Sequence, residues 1–583
     1  MSDDSRGDDR HSLQRRSGGA EPCAVYGGGA NALGRVTTPL GDLRFTNLFG
    51  GPVAMARQLG RQSSTDISEG ALPIFNEFIS EVAGDLVPDP LFGAGKLAIG
   101  GWMSNRLRRA IPAEYLNMLR AYGEGGGIDA ENLVVGQMAW DLWAVLMGAP
   151  LSKLNRAASR ARNHSPLFGS ATVVLPGPSG PLHLRWLDNA AVDRWDRKAS
   201  VAFFHPDRGI PYALVASVGL ITGLPAGMNA AGLVITVEAD VNSDIDWSGK
   251  VVGQVMHRVL SQAQTIEEAA ALLRQYPTLV SWRYVLSEGD RGRTAVFYSR
   301  QGELELRPDQ AFFVSGCDAS VMARAPAHLW RWHKARKQAL STVVGGWNNI
   351  DEDWVYRALQ AMVDERGDDP GLTGHPLAMA SNVGAVLFEP SARRLWVAAG
   401  RAPTARRWFV PMSLRSEQAA GGGLDTTVRP LKPSPEWANT NAGRALGHLR
   451  QAYQRHRSGE EPERILILLE HALALDRKRP TYHILAGLMA LRVHRARRAA
   501  GAFERALELI ADDTWRTEVE LYMAWALDLK RQRKAARTAY ARVAKDPATD
   551  ETVRKLARRG RRRKFREGDA RNLEIDLFVG SAV

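Results

Sequence analysis

Five short runs rich in β-branched and aromatic residues follow one another in the middle of the chain, at 171–175, 182–187, 200–204, 212–218 and 232–238. Turn signals separate several of them: Pro176-Gly177-Pro178, Pro206-Asp207-Arg208-Gly209 and Asn229-Ala230-Ala231-Gly232. Runs this short read as strands. Regular spacing of short strands argues for an antiparallel sheet system rather than βαβ units. Thr265 and Glu268 then stand in capping-box spacing ahead of Ala269, Leu272 and Leu273, which predicts a helix. More strand runs follow at 282–286, 294–298, 303–306 and 311–314, then a helical stretch at about 353–364. A last hairpin pairs 384–388 with 394–398 across Glu389-Pro390-Ser391. Strands, a helical layer and strands again imply an α+β fold in which stacked sheets are covered by helices.

The flanks divide the 583 residues further. Residues 1–36 read as a disordered leader, polar and Gly-rich. Residues 37–163 read as mostly helical. Pro112 precedes an apolar face of Tyr115, Leu116, Leu119 and Tyr122, Glu124-Gly125-Gly126-Gly127 stops that helix, and another opens at Ile128 and runs to about Met147. Residues 155–163 form a polar, Arg-rich connector. The strand-rich unit occupies 164–412, and a linker at 413–435 contains Ala419-Ala420-Gly421-Gly422-Gly423. Residues 436–550 are helical and repetitive. Ala472 and Ala506 lie one tetratricopeptide period of about 34 residues apart. Gly487, Ala499, Phe503 and Ala506 sit where paired helices need small and bulky residues, and Ala524, Ala536, Tyr540 and Val543, followed by Pro547, repeat the set. An irregular helical bundle is the alternative. Residues 551–583 form a basic tail containing Arg558-Arg559-Gly560-Arg561-Arg562-Arg563-Lys564-Phe565-Arg566.

Composition narrows the function classes. The net charge of +13 is compatible with an anionic partner, but it also suits an Arg-rich proteome, and the tail lacks the interleaved aromatics of a stacking platform, so nucleic acid is not expected. Cys23 and Cys317 make no CxxC pair, and His164, His183 and His205 have no metal-ligand spacing. Gly27-Gly28-Gly29 lacks the ending of a phosphate loop. No metal and no cofactor are expected. The first residues carry no apolar signal-peptide core, and the most apolar stretch, 213–237, is broken by Gly219, Gly223, Pro225, Asn229 and Gly232. A cytoplasmic protein without a transmembrane segment is the expectation.

One ordered set of motifs carries the chemistry. Gly169-Ser170-Ala171-Thr172-Val173-Val174 leads into a strand, and Leu184-Arg185-Trp186-Leu187-Asp188 closes the next, with Asp188 eighteen positions after Ser170. Then come His205-Pro206-Asp207-Arg208-Gly209, Gly227-Met228-Asn229-Ala230-Ala231-Gly232-Leu233, Phe388-Glu389-Pro390 and Leu395-Trp396-Val397-Ala398-Ala399-Gly400. Over about residues 40–410 this order resembles the isopenicillin-N acyltransferase family of self-processing N-terminal-nucleophile hydrolases. Gly51-Pro52, Gln58-Leu59-Gly60 and 121–132 resemble its propeptide.

The resemblance implies a four-layer αββα domain, self-cleavage at Gly169-Ser170, and an amide hydrolase or N-acyltransferase acting through acyl-Ser170 on a small acyl-amide or acyl donor. The freed α-amine, with a pKa of about 7.7–8.0, would serve as base. It implies that Asp188 and Arg185 orient the amine and the substrate. It places the oxyanion site near Gly316 and Cys317. Three positions depart from the family pattern: Ser170 replaces cysteine, Trp186 replaces asparagine, and Gly316 stands where the oxyanion asparagine belongs. The alternative is therefore a catalytically silent αββα scaffold whose helical repeats bind a protein partner. A strand-end serine, a structural Arg185–Asp188 pair and a turn role for Asn229 are the corresponding plain readings.

Overall fold

The computed structural model describes residues 24–26, 34–38, 41–73, 111–130, 133–134, 140–141, 144, 168–189, 192–221, 226–240, 245–315, 327–347, 353–363, 374–414, 421–433, 437–578 and 580–582. Cys23, Gly27-Gly28-Gly29, the 155–163 connector, His164, Gly316, Cys317, Ala419 and Ala420 lie outside them.

Two sheets form the first part of the molecule. In chain order the strands of the larger sheet are β1 (Ala24–Tyr26), β2 (Gly34–Thr38), β3 (Gly41–Gly50), β6 (Ala199–Pro206), β7 (Tyr212–Ser217), β8 (Ala226–Asn229), β9 (Leu233–Ala239), β10 (Trp282–Glu288), β11 (Thr294–Tyr298) and β12 (Glu303–Leu306), and they hydrogen-bond in that order. The smaller sheet runs β13 (Phe312–Ser315), β4 (Phe168–Leu175), β5 (Leu182–Asn189), β14 (Asn382–Glu389), β15 (Arg394–Ala399), β16 (Trp408–Ser413) and β17 (Gly423–Leu424). Helices α1 (Pro52–Ser63), α3 (Val252–Gln262) and α4 (Ile266–Gln275) pack on the larger sheet, and α2 (Ala113–Gly126) packs on α1. Helices α5 (Ala327–Gly345) and α6 (Trp354–Ala361) cover the smaller one, sharing an apolar cluster with Ala171, Val173, Leu184, Trp186 and Leu387. Between the sheets β9 meets β4 and β13, and Val174, Val285, Val296, Phe312 and Val314 close together. The order is helix, sheet, sheet, helix.

Sequence signals explain the local choices. Thr265 accepts the Glu268 amide at 3.2 Å and so caps α4, but the return bond of the expected capping box goes to the residue before the cap: Glu268 takes the Gln264 amide at 2.7 Å. Gly127, at φ +66°, ends α2. Several expectations need correction. Residues 24–26 and 34–36 of the supposed 1–36 leader lie in strands: β1 pairs with β2, and β2 with β3. Residues 41–50, read as part of a helical segment, form β3. Its Arg44, Thr46 and Asn47 disguise a buried strand because each has a partner: Asp66 at 2.6 Å, Gln62, and the Gly422 carbonyl at 2.8 Å. Strand β3 also pairs parallel with β6, so the sheets are not wholly antiparallel. The described parts of the 413–435 linker, 413–414 and 421–433, are built in: β17 pairs with β16, Leu431 bridges Phe409, and a Cβ on Gly422 would meet the Phe203 ring at 2.1 Å.

The C-terminal part is helical: α7 (Asn441–Arg457), α8 (Pro462–Leu475), α9 (Pro480–Arg492), α10 (Ala496–Leu509), α11 (Asp513–Leu529), α12 (Arg533–Lys545), α13 (Glu551–Arg562) and α14 (Glu567–Arg571). Each helix from α7 to α13 packs on the next. The basic tail is part of this stack rather than an extension of it, because Val553, Ala557, Ile575, Leu577 and Phe578 bury an apolar face. The two parts touch. Arg450 of α7 donates to the Ala402 carbonyl at 3.1 Å, the Arg406 guanidinium lies 4.7 Å over the Trp437 ring, and α5 meets α11.

Candidate active site

Strand alternation decides what faces what. In the β4–β5 ladder Ser170 stands opposite Leu187, Thr172 opposite Arg185 and Val174 opposite His183, and these side chains look toward the larger sheet. Gly169 opposite Asp188 and Ala171 opposite Trp186 look the other way, toward α5 and α6.

On the inner side Glu238 of β9 is the hub. It is fully buried. Ser170 Oγ donates to its Oε2 at 2.5 Å, and Thr172 Oγ1 donates to its Oε1 at 2.7 Å. Arg185 Nη1 lies 3.8 Å from Oε1. The polar seam continues inward: Thr172 meets Thr236 at 2.9 Å, and His183 bridges Thr236 and Ser287 at 2.8 Å each. Burial pushes the Glu238 carboxyl above its ordinary value, opposed by the Arg185 charge and the two hydroxyl donors. Burial, with Arg185 adding to it, holds His183 down at about 3, so its ring is neutral. Burial also lowers Arg185.

On the outer side Asp188 takes a hydrogen bond from Arg336 of α5, both fully buried. The other carboxylate oxygen, Asp188 Oδ1, has no hydrogen-bond partner among the described residues. Burial lowers Arg336 to about 9, and the Arg185 charge adds to that. Trp332, one turn earlier on α5, lies over Gly169: a Cβ there would meet the ring at 2.5 Å. Gly169 is thus required by a close approach. The indole of Trp332 donates to the Met379 sulfur. Asn382 ties the neighbourhood together. Its amide donates to the carbonyls of Leu187 (3.1 Å) and Gly384 (3.2 Å), and its oxygen accepts from Thr404 and the Ala405 amide.

Of the residues predicted from sequence, the structure brings Ser170 and Arg185 to one carboxylate. It sets Asp188 on the opposite face, across the ladder from Gly169, whose carbonyl carbon is bonded to the Ser170 nitrogen. Trp186 also faces outward and donates to the Met362 carbonyl at 3.2 Å, so the position that departs from the family pattern does not face Ser170. Strand β13 ends at Ser315, paired with Ala171; Gly316 and Cys317 lie outside the described residues. Asn229 serves its hairpin, accepting the Ala231 and Leu233 amides and donating to the Leu260 and Ala263 carbonyls. His205 meets Asn47 at 2.9 Å, away from Ser170. Sequence reasoning missed Glu238, Arg336, Trp332 and Asn382. Only Glu238 left a signal, as an acid closing the apolar run 233–237. Among the described residues no group of His, Cys, Asp and Glu could hold a metal ion, and no helix is long and apolar enough to cross a membrane.

No family model matches the chain, and no curated protein does. Among solved structures, that of the Caenorhabditis elegans N-acylethanolamine-hydrolyzing acid amidase ortholog aligns with 13% identity and a TM-score of 0.27, covering 38% of this chain and 93% of that one.

Proposed function

We propose that the chain is an amide hydrolase of the N-terminal-nucleophile kind, which cuts itself between Gly169 and Ser170 and then works through Ser170. The observation that carries this reading is the hydrogen bond from the Ser170 hydroxyl to Glu238, a buried carboxylate between two stacked sheets. A serine hydroxyl is a weak nucleophile until a base within hydrogen-bond reach takes its proton. Before the cut Ser170 has no α-amine, and Glu238 is the group in reach. The proton passes from Oγ to Glu238, Oγ attacks the Gly169 carbonyl carbon, and the C–N bond breaks as the Ser170 nitrogen takes a proton. Water then hydrolyses the ester, leaving a carboxylate on Gly169 and a free hydroxyl and amine on Ser170. Asp188 accepts a hydrogen bond from the new amine; it stands opposite Gly169, and one of its oxygens has no partner among the described residues. In turnover that amine is the base, Ser170 Oγ takes the acyl group of a small amide, and water or an acceptor amine releases it. Arg185 keeps the Glu238 side of the site charged and ordered.

Electrophoresis of wild type beside Ser170→Ala and Ser170→Cys tests the reading. Two bands, one band and two bands are expected; a single full-length band in all three removes it.

One observation favours a second reading. Strand β4 runs unbroken through Phe168 and Gly169, with Trp332 clamped over the junction. This suits a silent scaffold whose tetratricopeptide-like helices bind a partner. That reading requires wild type and Ser170→Ala to behave alike in every assay.

A further inference from the structure

The end of the helical stack carries the second feature, independent of whether Ser170 reacts. Asp550 caps α13 by accepting the Thr552 amide at 2.8 Å. The helix then buries Val553, Ala557 and Gly560, and a Cβ on Gly560 would meet the Tyr540 ring at 2.5 Å. Its other face and the turn after it expose Lys555, Arg558, Arg559, Arg561, Arg562, Arg563 and Lys564. Phe565 turns back under this face. Its ring stacks on Trp525 with centroids 4.8 Å apart, and its amide donates to Asp528 at 2.9 Å. The final segment returns beneath, where the Ala582 amide donates to the Tyr522 hydroxyl at 2.9 Å. These pieces line an open pocket of about 170 Å³, with apolar walls from Trp525, Leu556, Phe565 and Leu573. Arg559, Arg563, Lys564 and Asp569 stand at its mouth.

The geometry points to a binding site for an acidic peptide, with one aromatic or aliphatic side chain in the cavity and neighbouring carboxylates on Arg559 and Lys564. Size comes first. An apolar cavity of about 150 Å³ holds a benzene ring, whereas pockets for drug-sized ligands begin at about 300 Å³. The space fits one side chain. Charge comes second. Arg563 is held by Asp569 at 3.1 Å, while Arg559 and Lys564 have no carboxylate partner among the described residues. Two unmatched cations beside an apolar hole match a carboxylate on either side of an apolar residue. A nucleic acid fits less well. Trp525 and Phe565 stack on each other and Tyr540 packs on Gly560, so each ring already has one face covered by a neighbour rather than standing out as a platform for successive bases.

The test is fluorescence anisotropy of the full chain, at about 0.15 M salt, with a labelled Glu-rich decapeptide carrying one central Phe. The same peptide with Ala for Phe and a labelled oligothymidylate of equal charge serve as comparators. The Phe peptide is expected to bind at least about tenfold more tightly than either. The double variant Arg559→Glu/Lys564→Glu, whose two side chains are exposed, should lose at least about tenfold while melting at the wild-type temperature. Equal affinity for the Phe and Ala peptides overturns the site. So does an oligonucleotide that binds as tightly as the peptide, or a double variant that binds like wild type.

Discussion

The seam between the two sheets and the seams between the C-terminal helices are both largely buried, yet they differ in their balance of polar and apolar groups. Between the sheets, Ser170, Thr172, Thr236, His183 and Ser287 surround a carboxylate and a guanidinium. Between the helices, a small residue meets an aromatic one: Gly487 under Phe503, Gly560 under Tyr540. Buried charges cost folding free energy unless well partnered, and an apolar replacement often stabilises. The helical seams are mostly apolar, with two buried acids held by hydroxyls and a guanidinium: Glu518 by Tyr522 and Ser581, and Asp528 by Tyr540 and Arg533. The intersheet seam is polar along its length, from Ser170 through Glu238, Thr172 and Thr236 to His183 and Ser287. Perturbed titrations gathered around one hydroxyl and one carboxylate make this seam the candidate site.

Exchanging groups on each side sharpens the contrast. Glu238→Gln keeps the shape and removes the base, so self-cleavage should slow by about 10²–10⁴-fold, read as the half-life of the full-length chain. In wild type the rate should rise with pH, with a midpoint above the ordinary carboxylate range, because burial raises the Glu238 pKa and only the carboxylate accepts the proton. Phe503→Ala belongs to the other seam. It should cost about 3–5 kcal/mol in denaturant unfolding without altering the cleavage rate of the remaining folded chain. A change of rate there would show that the two seams are not separate.

Acid should act on the sheets. Tyr212 meets His257 at 2.7 Å, and burial lowers His257 to about 4. Its contribution is complete above the unfolded value near 6.5 and is lost as pH falls toward about 4, amounting to roughly 3 kcal/mol at about 1.36 kcal/mol per pKa unit. His183, held at about 3, adds in the same direction. Burial raises Asp141 to about 7 and Asp196 to about 6, which acts in the opposite direction over the same window. The His257 part is therefore isolated by comparison: between pH 7 and pH 5 the urea midpoint of wild type should fall relative to that of His257→Gln, and parallel curves contradict a neutral buried His257. The smallest effect is expected from Gly169→Ala. Its methyl meets the Trp332 ring, so overpacking should cost about 1–3 kcal/mol. A thermal melt unchanged from wild type would mean the Trp332 clamp is loose.

Much of this was legible in the sequence, and the omissions have a common cause. Period-2 runs bounded by Pro, Gly and Asn marked β4 to β7 and β9 to β12, because turns and alternation are local. Strand β3 escaped because Arg44, Thr46 and Asn47 are satisfied by residues 16 to 375 positions away. The same holds for the site. Ser170, Arg185 and Asp188 were found through motif order, but which face each occupies depends on the register of β4 against β5. Arg336 and Trp332 reach Asp188 and Gly169 from a helix nearly 150 residues downstream, amid arginines that carry no distinguishing pattern. Gly560 lay inside a charge run, where nothing local reveals the Tyr540 ring above it.

The central claim is that the Ser170 hydroxyl, held by Glu238, breaks the bond after Gly169. Intact-mass analysis with N-terminal sequencing of the purified protein tests it most directly. The account predicts two chains, one ending at Gly169 and one beginning with Ser170, with Ser170→Ala remaining a single chain. A wild-type protein that stays full length, or a cut at any other bond, contradicts it.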